Sequence, residues 1–226
     1  MIFLIFVGII GIILILLALN KIHIDWLSIP RKTIPLDTAV FGVYCFCGKQ
    51  GSGKTYSLTK YVLKEARGRK IYSNVQSLRG VDFEPITSVA HLLSLRDEKK
   101  VIIIYDEILN LLNDKTIPRD IRDDLMEFLS QQRKQKNILI TTAQEWLNIP
   151  IEFRRFVRIQ IDCATVPLGR FGGILIEEYF DAYRMKWSQL DNEYVAPRIS
   201  KKFSKYEKRF MESYDTYERV RKLKRS

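Results

Sequence analysis

Residues Gly48-Lys49-Gln50-Gly51-Ser52-Gly53-Lys54-Thr55 form the stretch of this chain whose types and spacing point most directly to chemistry. Gly48, Gly53, Lys54 and Thr55 stand in the register of a phosphate-binding loop, a complete Walker A box. In such a loop successive backbone N–H groups turn inward around a phosphate, and the helix that follows aims its positive dipole end at the same anion. The pattern casts Gly48, Lys49, Gln50, Gly51, Ser52, Gly53, Lys54, Thr55 and the adjoining Tyr56 as the binding site for ATP. Lys54 reaches the β- and γ-phosphates, and Thr55 ligates Mg²⁺. A second cluster lies about 50 residues on. Four aliphatics and an aromatic, Val101 to Tyr105, end in Asp106-Glu107, the form of a Walker B box. Asp106 is placed in the Mg²⁺ shell, and Glu107 polarises the attacking water. An acid immediately after the metal-binding one favours hydrolysis over kinase chemistry.

The elements that must position these groups follow from pattern. Val40 to Cys47 is apolar and rich in strand formers, and Thr55 to Arg67 reads as the helix after the loop. Strands are expected over Lys70–Val75, Val101–Tyr105, Asn137–Thr142 and Phe156–Ile161. Helices are expected over Thr87–Leu95 and Ile117–Lys134, the latter with Ile121, Leu125, Phe128 and Leu129 on one face. Alternating strands and helices imply right-handed crossovers and an α/β fold, a mostly parallel sheet covered by helices on both faces. One strand, Lys70–Val75, falls between the two boxes. This fits the additional-strand, RecA-like branch of P-loop NTPases, in which the strand after Walker B ends in a polar residue that senses the γ-phosphate. Gln144 is the first candidate for that residue and Thr142 the second. Ile174–Tyr183 is expected to return as a hairpin against Ile159–Thr165, at the sheet edge.

Arg133, Arg154, Arg155 and Arg158 offer guanidinium groups that a neighbouring subunit can lend to a transferring phosphoryl group. Arg155 is the candidate carried forward, with the choice among the four open. The three cysteines, Cys45, Cys47 and Cys163, have no metal-ligand spacing and read as buried thiols. Neither histidine has a partner that suggests catalysis or metal binding.

Ahead of this domain, Ile2 to Leu19 contains no polar side chain. Eighteen residues at 1.5 Å each reach about 27 Å, enough for a bilayer core if flanking residues help. No basic segment precedes the run and no small-residue cleavage site follows it, which separates it from a signal peptide. The first basic residues, Lys21, Arg31 and Lys32, come after it. The positive-inside rule then puts the ATPase domain on the cytoplasmic side of a single-pass anchor. Trp26 suits an interfacial anchor, and Pro30 and Pro35 bracket a linker. The expected organisation is a transmembrane helix (1–20), a linker (21–39), an ATPase domain (40–190) and a basic tail (191–226).

The 226-residue chain carries a formal net charge of +11, which points to a polyanionic partner. From Arg198 onward eleven Lys or Arg face four Asp or Glu, a net +7. Tyr206, Phe210, Tyr214 and Tyr217 recur at helical spacing there. An amphipathic helix contacting DNA or an anionic membrane face, a helix packed on the core, and a disordered end all remain open. No base-reading motif is present.

Gly48-to-Thr55, Ile71-Tyr72-Ser73-Asn74-Val75, Ile104-Tyr105-Asp106-Glu107, Gln132-Arg133-Lys134 and Thr142-Ala143-Gln144 together resemble the zonular occludens toxin-like ATPases of phages. These fall within the FtsK/HerA superfamily, close to tectivirus-type genome-packaging ATPases. The resemblance covers roughly Val40 to Ile161. It implies a homo-oligomeric ring that couples ATP hydrolysis to movement of double-stranded DNA or to phage extrusion, with capsid or coat proteins as further partners. Filamentous-phage members usually carry their span after the ATPase domain. The N-terminal span here favours the packaging type, with the inner membrane of a virion as a second setting. A scaffold that binds nucleotide without turning it over is the reading least compatible with an intact Asp106-Glu107 pair.

Overall fold

The computed structural model describes residues 2–19, 22–24, 41–65, 68–108, 111, 118–169, 172–189 and 192–214. Trp26, the linker prolines, Arg67, Ile117 and Tyr217 lie outside them. Helix α1, Ile2–Leu19, matches the apolar run. It leaves large apolar side chains open, Phe6, Ile12 and Ile15 each being 61% exposed. Its length of about 27 Å is slightly less than a typical hydrocarbon core of about 30 Å. Among the described residues, no helix is long and apolar enough to cross a membrane.

The strands β1 (Ile22–Ile24), β2 (Gly42–Cys47), β3 (Ile71–Ser73), β4 (Glu84–Pro85), β5 (Ile102–Tyr105), β6 (Ile138–Ala143), β7 (Val157–Pro167), β8 (Gly173–Asp181) and β11 (Arg198–Lys205) make one sheet. Its order is β1-β11-β8-β7-β2-β6-β5-β3-β4. From β7 to β4 every pair is parallel. The short β9 (Lys186–Ser188) and β10 (Glu193–Val195) pair separately as a hairpin.

Strand β2 is buried along its whole length, as expected of a central parallel strand covered on both faces. Val43, Cys45 and Cys47 join one core with Ile103, Leu139 and the helix α4 (Arg119–Gln131) residues Leu125, Phe128 and Leu129. Tyr44 and Phe46 join the other, with Ile104, Ile140 and the α2 (Lys54–Glu65) residues Leu58 and Val62. The short α3 (Val89–Ser94) lies on the first face and starts at Ser88, whose hydroxyl accepts the His91 N–H. Two further short helices are α5 (Ile151–Arg154) and α6 (Lys208–Met211).

The strand lying between β2 and β5 in space is β6, while β3, which lies between them in the chain, sits on the far side of β5. Two sequence expectations change. The β7–β8 hairpin forms as expected but is not the sheet edge, because β11 pairs antiparallel with β8 beyond it. Arg198–Lys205 is therefore strand, not part of a helical tail. Its pattern has period two: Ser200, Lys202 and Ser204 are buried, and the alternate Lys201 meets Glu178 at 2.6 Å. Pairing with β8 satisfies backbone groups that a lone helix would have to satisfy internally. The helical stretch shrinks to Lys208–Met211, which seats Phe210 against Tyr56.

Candidate active site

In a parallel sheet the loops after the strands collect at one edge, and the two sequence boxes meet there. The N–H of Gly48 is shared between the carbonyls of Ala143 and Gln144, each at 3.2 Å. The loop's first residue is thus tied to the end of β6. Two glycines are required by space as well as by backbone. A Cβ on Gly48 (φ +147°) would lie 2.5 Å from the Cys163 carbonyl oxygen. One on Gly53 (φ +90°) would run into the Tyr206 hydroxyl and lie 2.8 Å from Leu175 Cδ1. The Ser57 N–H to Gly53 carbonyl bond, 2.8 Å, opens α2. The N-terminus of α2 therefore points into the loop. Lys54 Nζ donates to the carbonyls of Gly48 (2.6 Å) and Lys49 (3.0 Å), so the ammonium lies over the loop itself.

The acids of the second box are held by two polar residues from flanking strands. Asn74, just past β3, accepts the Asp106 N–H at 2.8 Å and donates to the Asp106 carbonyl at 3.2 Å. This prolongs the β3–β5 pairing by one side chain. Thr142, in β6, accepts the Glu107 N–H at 3.0 Å and donates its hydroxyl hydrogen to Asp106 Oδ1. Glu107 adopts φ +53°, a left-handed conformation that costs a non-glycine residue about 1–2 kcal/mol. The Thr142 hydroxyl pins the backbone at that turn. Burial pushes the Asp106 carboxyl above its ordinary range; the Thr142 donor and nearby Lys54 oppose this, and Glu107 adds to it.

The structure therefore brings together Gly48, Lys54, Asp106 and Glu107, with Thr55 beside Lys54 in the first turn of α2. Of the two sensor candidates, Thr142 touches the acids. Gln144 approaches the loop by its backbone carbonyl, and its side chain is exposed. Arg155 is also exposed, but at the opposite edge of the sheet. Val157 pairs with Val43, whereas the loop begins after Cys47, about 13 Å further along the strand. Arg133 and Arg158 lie over the Tyr183 ring, with Arg158 also 3.5 Å from Asp181. Arg154 donates to the Ile149 carbonyl. Within one chain none of the four reaches the phosphate loop, so a finger role needs a neighbouring copy.

A group beneath the loop is not evident from the sequence. Tyr56 is fully buried, its ring tilted 51° to that of Tyr206 with centroids 4.4 Å apart. Its hydroxyl accepts the Glu207 N–H at 2.8 Å, and Tyr206 bonds Thr165 at 2.6 Å. The next residue, Ser57, donates to Glu177, while Lys60, one turn on from Tyr56, lies 3.9 Å from Glu177 and donates to Ser204 Oγ at 2.7 Å.

The donor set fits Mg²⁺. That ion keeps several waters and takes one or two carboxylates plus phosphate oxygens, and the set here is one buried carboxylate, Asp106, with the Thr55 hydroxyl. Among the described residues no group of three or more His, Cys, Asp or Glu forms a cage for a metal.

Comparison with known proteins bears on the fold and the family. No curated protein matches the chain. Among solved structures, the N-terminal domain of zonular occludens toxin from Neisseria meningitidis superposes with a TM-score of 0.51 at 16% identity, covering 78% of this chain and 100% of that one. It shares the fold. The genome-packaging NTPase B204 of Sulfolobus turreted icosahedral virus 2, in complex with ATP-gammaS, matches with a TM-score of 0.46 at 10% identity, over 72% of this chain and 98% of that one. The flagellar accessory protein FlaH of Methanocaldococcus jannaschii gives 0.46 at 12% identity, over 73% and 89%. Residues 44–165 match the model of the ATPase family associated with various cellular activities (AAA). The chain belongs to that family and is a P-loop ATPase.

Proposed function

We propose that this ATPase is a membrane-anchored motor that couples ATP hydrolysis to translocation of double-stranded DNA, in viral genome packaging. The observation that carries the reading is the joint presence, on one short chain, of a hydrolytic site and a net charge of +11, of which +7 follows Arg198. The anchor is α1, lengthened by its flanking residues or met by a locally thinned bilayer, a mismatch of a few ångströms that costs fractions of a kcal/mol per Å. The ATPase domain faces the cytoplasm or the interior of a membrane-lined virion.

At the site, the loop N–H groups and the α2 N-terminus hold the phosphates, and Lys54 leaves the loop carbonyls to meet them. Asp106 and Thr55 hold Mg²⁺, which supplies charge neutralisation on the phosphate oxygens when bound. Glu107, aimed by its left-handed turn, orients the attacking water and takes its proton. Thr142 keeps Asp106 and Glu107 in fixed relation. The γ-phosphate-sensing role belongs to Thr142 or Gln144, and Arg155 acts from the neighbouring copy in a homo-oligomeric ring.

Hydrolysis measured with and without duplex DNA tests the reading. Stimulation together with salt-dependent binding is expected. A rate and a binding signal that both ignore DNA would overturn it. The second reading, a morphogenesis ATPase acting on coat or capsid proteins, is favoured by one observation. The apolar surface of α1 puts the motor where membrane-embedded coat proteins pass. It takes over if coat protein, and not DNA, stimulates turnover.

A further inference from the structure

The phosphate loop rests on neighbouring strands at both of its ends. The Cys163 carbonyl of β7 fills the space beneath Gly48. The Tyr206 hydroxyl, Leu175 Cδ1 and the Thr165 hydroxyl fill the space beneath Gly53. Thr165 belongs to β7, Leu175 to β8, and Tyr206 follows β11. Strand β8 and the segment after β11 carry none of the groups assigned to phosphate, Mg²⁺ or water, yet they reach under the loop. Gly53 stands at φ +90°. Glycine enters that region readily and leaves it as readily, because it has no Cβ to restrict it. What lies underneath therefore decides whether the loop keeps its shape.

Tyr206 is itself firmly held. Its N–H donates to the Gly173 carbonyl at 3.3 Å. A Cβ on Gly173 would lie 3.3 Å from Tyr206 Cδ2, so that glycine leaves room for the ring. The Tyr56 ring packs against it, and the Tyr206 and Thr165 hydroxyls share a hydrogen bond of 2.6 Å. The next residue closes the contact. The Glu207 N–H donates to the Tyr56 hydroxyl at 2.8 Å. The Glu207 carboxylate lies 2.7 Å from Arg209 and 4.0 Å from Lys64 of α2. Tyr56, which adjoins Thr55 in the chain, is thus engaged below the loop. The Tyr206 ring is fixed along its length, and its hydroxyl end abuts Gly53.

We propose that Tyr206 is a positioning residue for ATP. Its hydroxyl, paired with Thr165, is the support on which Gly53 keeps its positive φ, and so keeps the loop N–H groups converged before nucleotide arrives. A loop already in its bound shape loses less freedom on binding. The same loop geometry serves bound ATP and the transition state, so losing the support should raise KM and leave kcat little changed. This inference rests on the reading of Gly48–Thr55 as the loop that holds the phosphates.

The test compares the full chain with Tyr206→Phe, Thr165→Val and their double variant, by fluorescent-ATP titration and by steady-state turnover. Tyr206→Phe removes one oxygen and keeps the ring against Tyr56 and Gly173, so it puts the fold least at risk. Thermal melting without nucleotide reads stability separately. The expected result is a several-fold rise in Kd and KM for each single variant, with kcat at saturating ATP near the wild-type value. The double variant should bind no more weakly than the weaker single one, because the two hydroxyls act as one pair. A lower Tm with Kd unchanged would make Tyr206 a packing residue and overturn the inference. A fall in kcat with KM unchanged would also overturn it, as would effects that multiply in the double variant. Lys54→Ala separates this inference from the reading beneath it. If Lys54→Ala binds ATP as the wild type does, the loop reading fails. If it loses ATP while Tyr206→Phe and Thr165→Val bind normally, the loop reading stands and the positioning role fails.

Discussion

The two edges of one sheet divide the work of this protein differently. At the phosphate-loop edge, function is concentrated in a few groups held by short, specific bonds: Lys54 on the Gly48 carbonyl, Thr142 between Asp106 and Glu107, and Asn74 on the Asp106 backbone. At the opposite edge, charge is spread over separate loops, and exposed groups of both signs, such as Lys134 and Glu152, have no ion pair among the described residues. The first edge is built for geometry, which is what positioning a water and a phosphate demands. The second carries dispersed charge, whose field acts over a Debye length and tolerates loose placement. Single substitutions at the first edge should therefore have large effects, and single substitutions at the second edge small ones.

Lys54→Ala is expected to give the largest loss. Removing the cation and donor that meet the β- and γ-phosphates should abolish ATP binding in a fluorescent-nucleotide titration, with the fold retained by circular dichroism. Thr142→Val and Gln144→Ala separate the sensor candidates. The valine leaves the Glu107 N–H without its acceptor and the Asp106 carboxylate without its donor, a stability cost of about 1–3 kcal/mol. The freed acids should also lower kcat. Gln144→Ala should lose less, since its contact with Gly48 runs through the backbone. A larger loss in Gln144→Ala would return the sensor role to that side chain.

Stability gives a smaller, pH-dependent signal. Because burial raises Asp106 above its unfolded value, the folded state holds that proton longer. Stability of the nucleotide-free protein should then fall as pH rises from the ordinary carboxylate range through the raised value, and level off above it. Asp106→Asn removes this slope and should raise Tm at neutral pH by a few degrees, about 2–4 °C per kcal/mol for a domain this size, while ending Mg²⁺-dependent turnover. A lower Tm in the asparagine variant would contradict the burial account. Beneath the loop, Lys60→Ala strands Glu177 in the core. It should cost about 3–5 kcal/mol, read as a shift in the urea midpoint. An unchanged midpoint would mean that β11 contributes little to the domain. At the opposite edge, Lys134→Ala alone should leave turnover and stability within experimental error.

The phosphate-loop edge was legible in the sequence because its chemistry uses neighbouring residues. Eight consecutive positions make the loop, and five buried residues followed by two acids make the second box. The strands and crossovers followed from the same runs. What was not legible depends on pairing between distant segments. Arg198–Lys205 looks like a basic tail until Glu177 and Lys60 are seen to bury its polar face, since a lysine such as Lys202 is interior only when partners from other elements surround it. The distance of Arg155 from the loop likewise depends on which end of β7 it occupies, which the pairing of Val157 with Val43 settles. The sequence puts Gln144 ahead of Thr142, whereas it is the Thr142 side chain that reaches the acids after β5, an order that residue type alone does not carry.

The most direct measurement is Mg²⁺-dependent ATP turnover by the full chain beside Glu107→Gln. General-base loss should lower kcat by about 10²–10⁴-fold, with ATP still bound and recoverable unhydrolysed. Turnover at the wild-type rate in Glu107→Gln, or failure of that variant to retain ATP, would contradict the assignment of this edge as a hydrolytic site centred on Glu107.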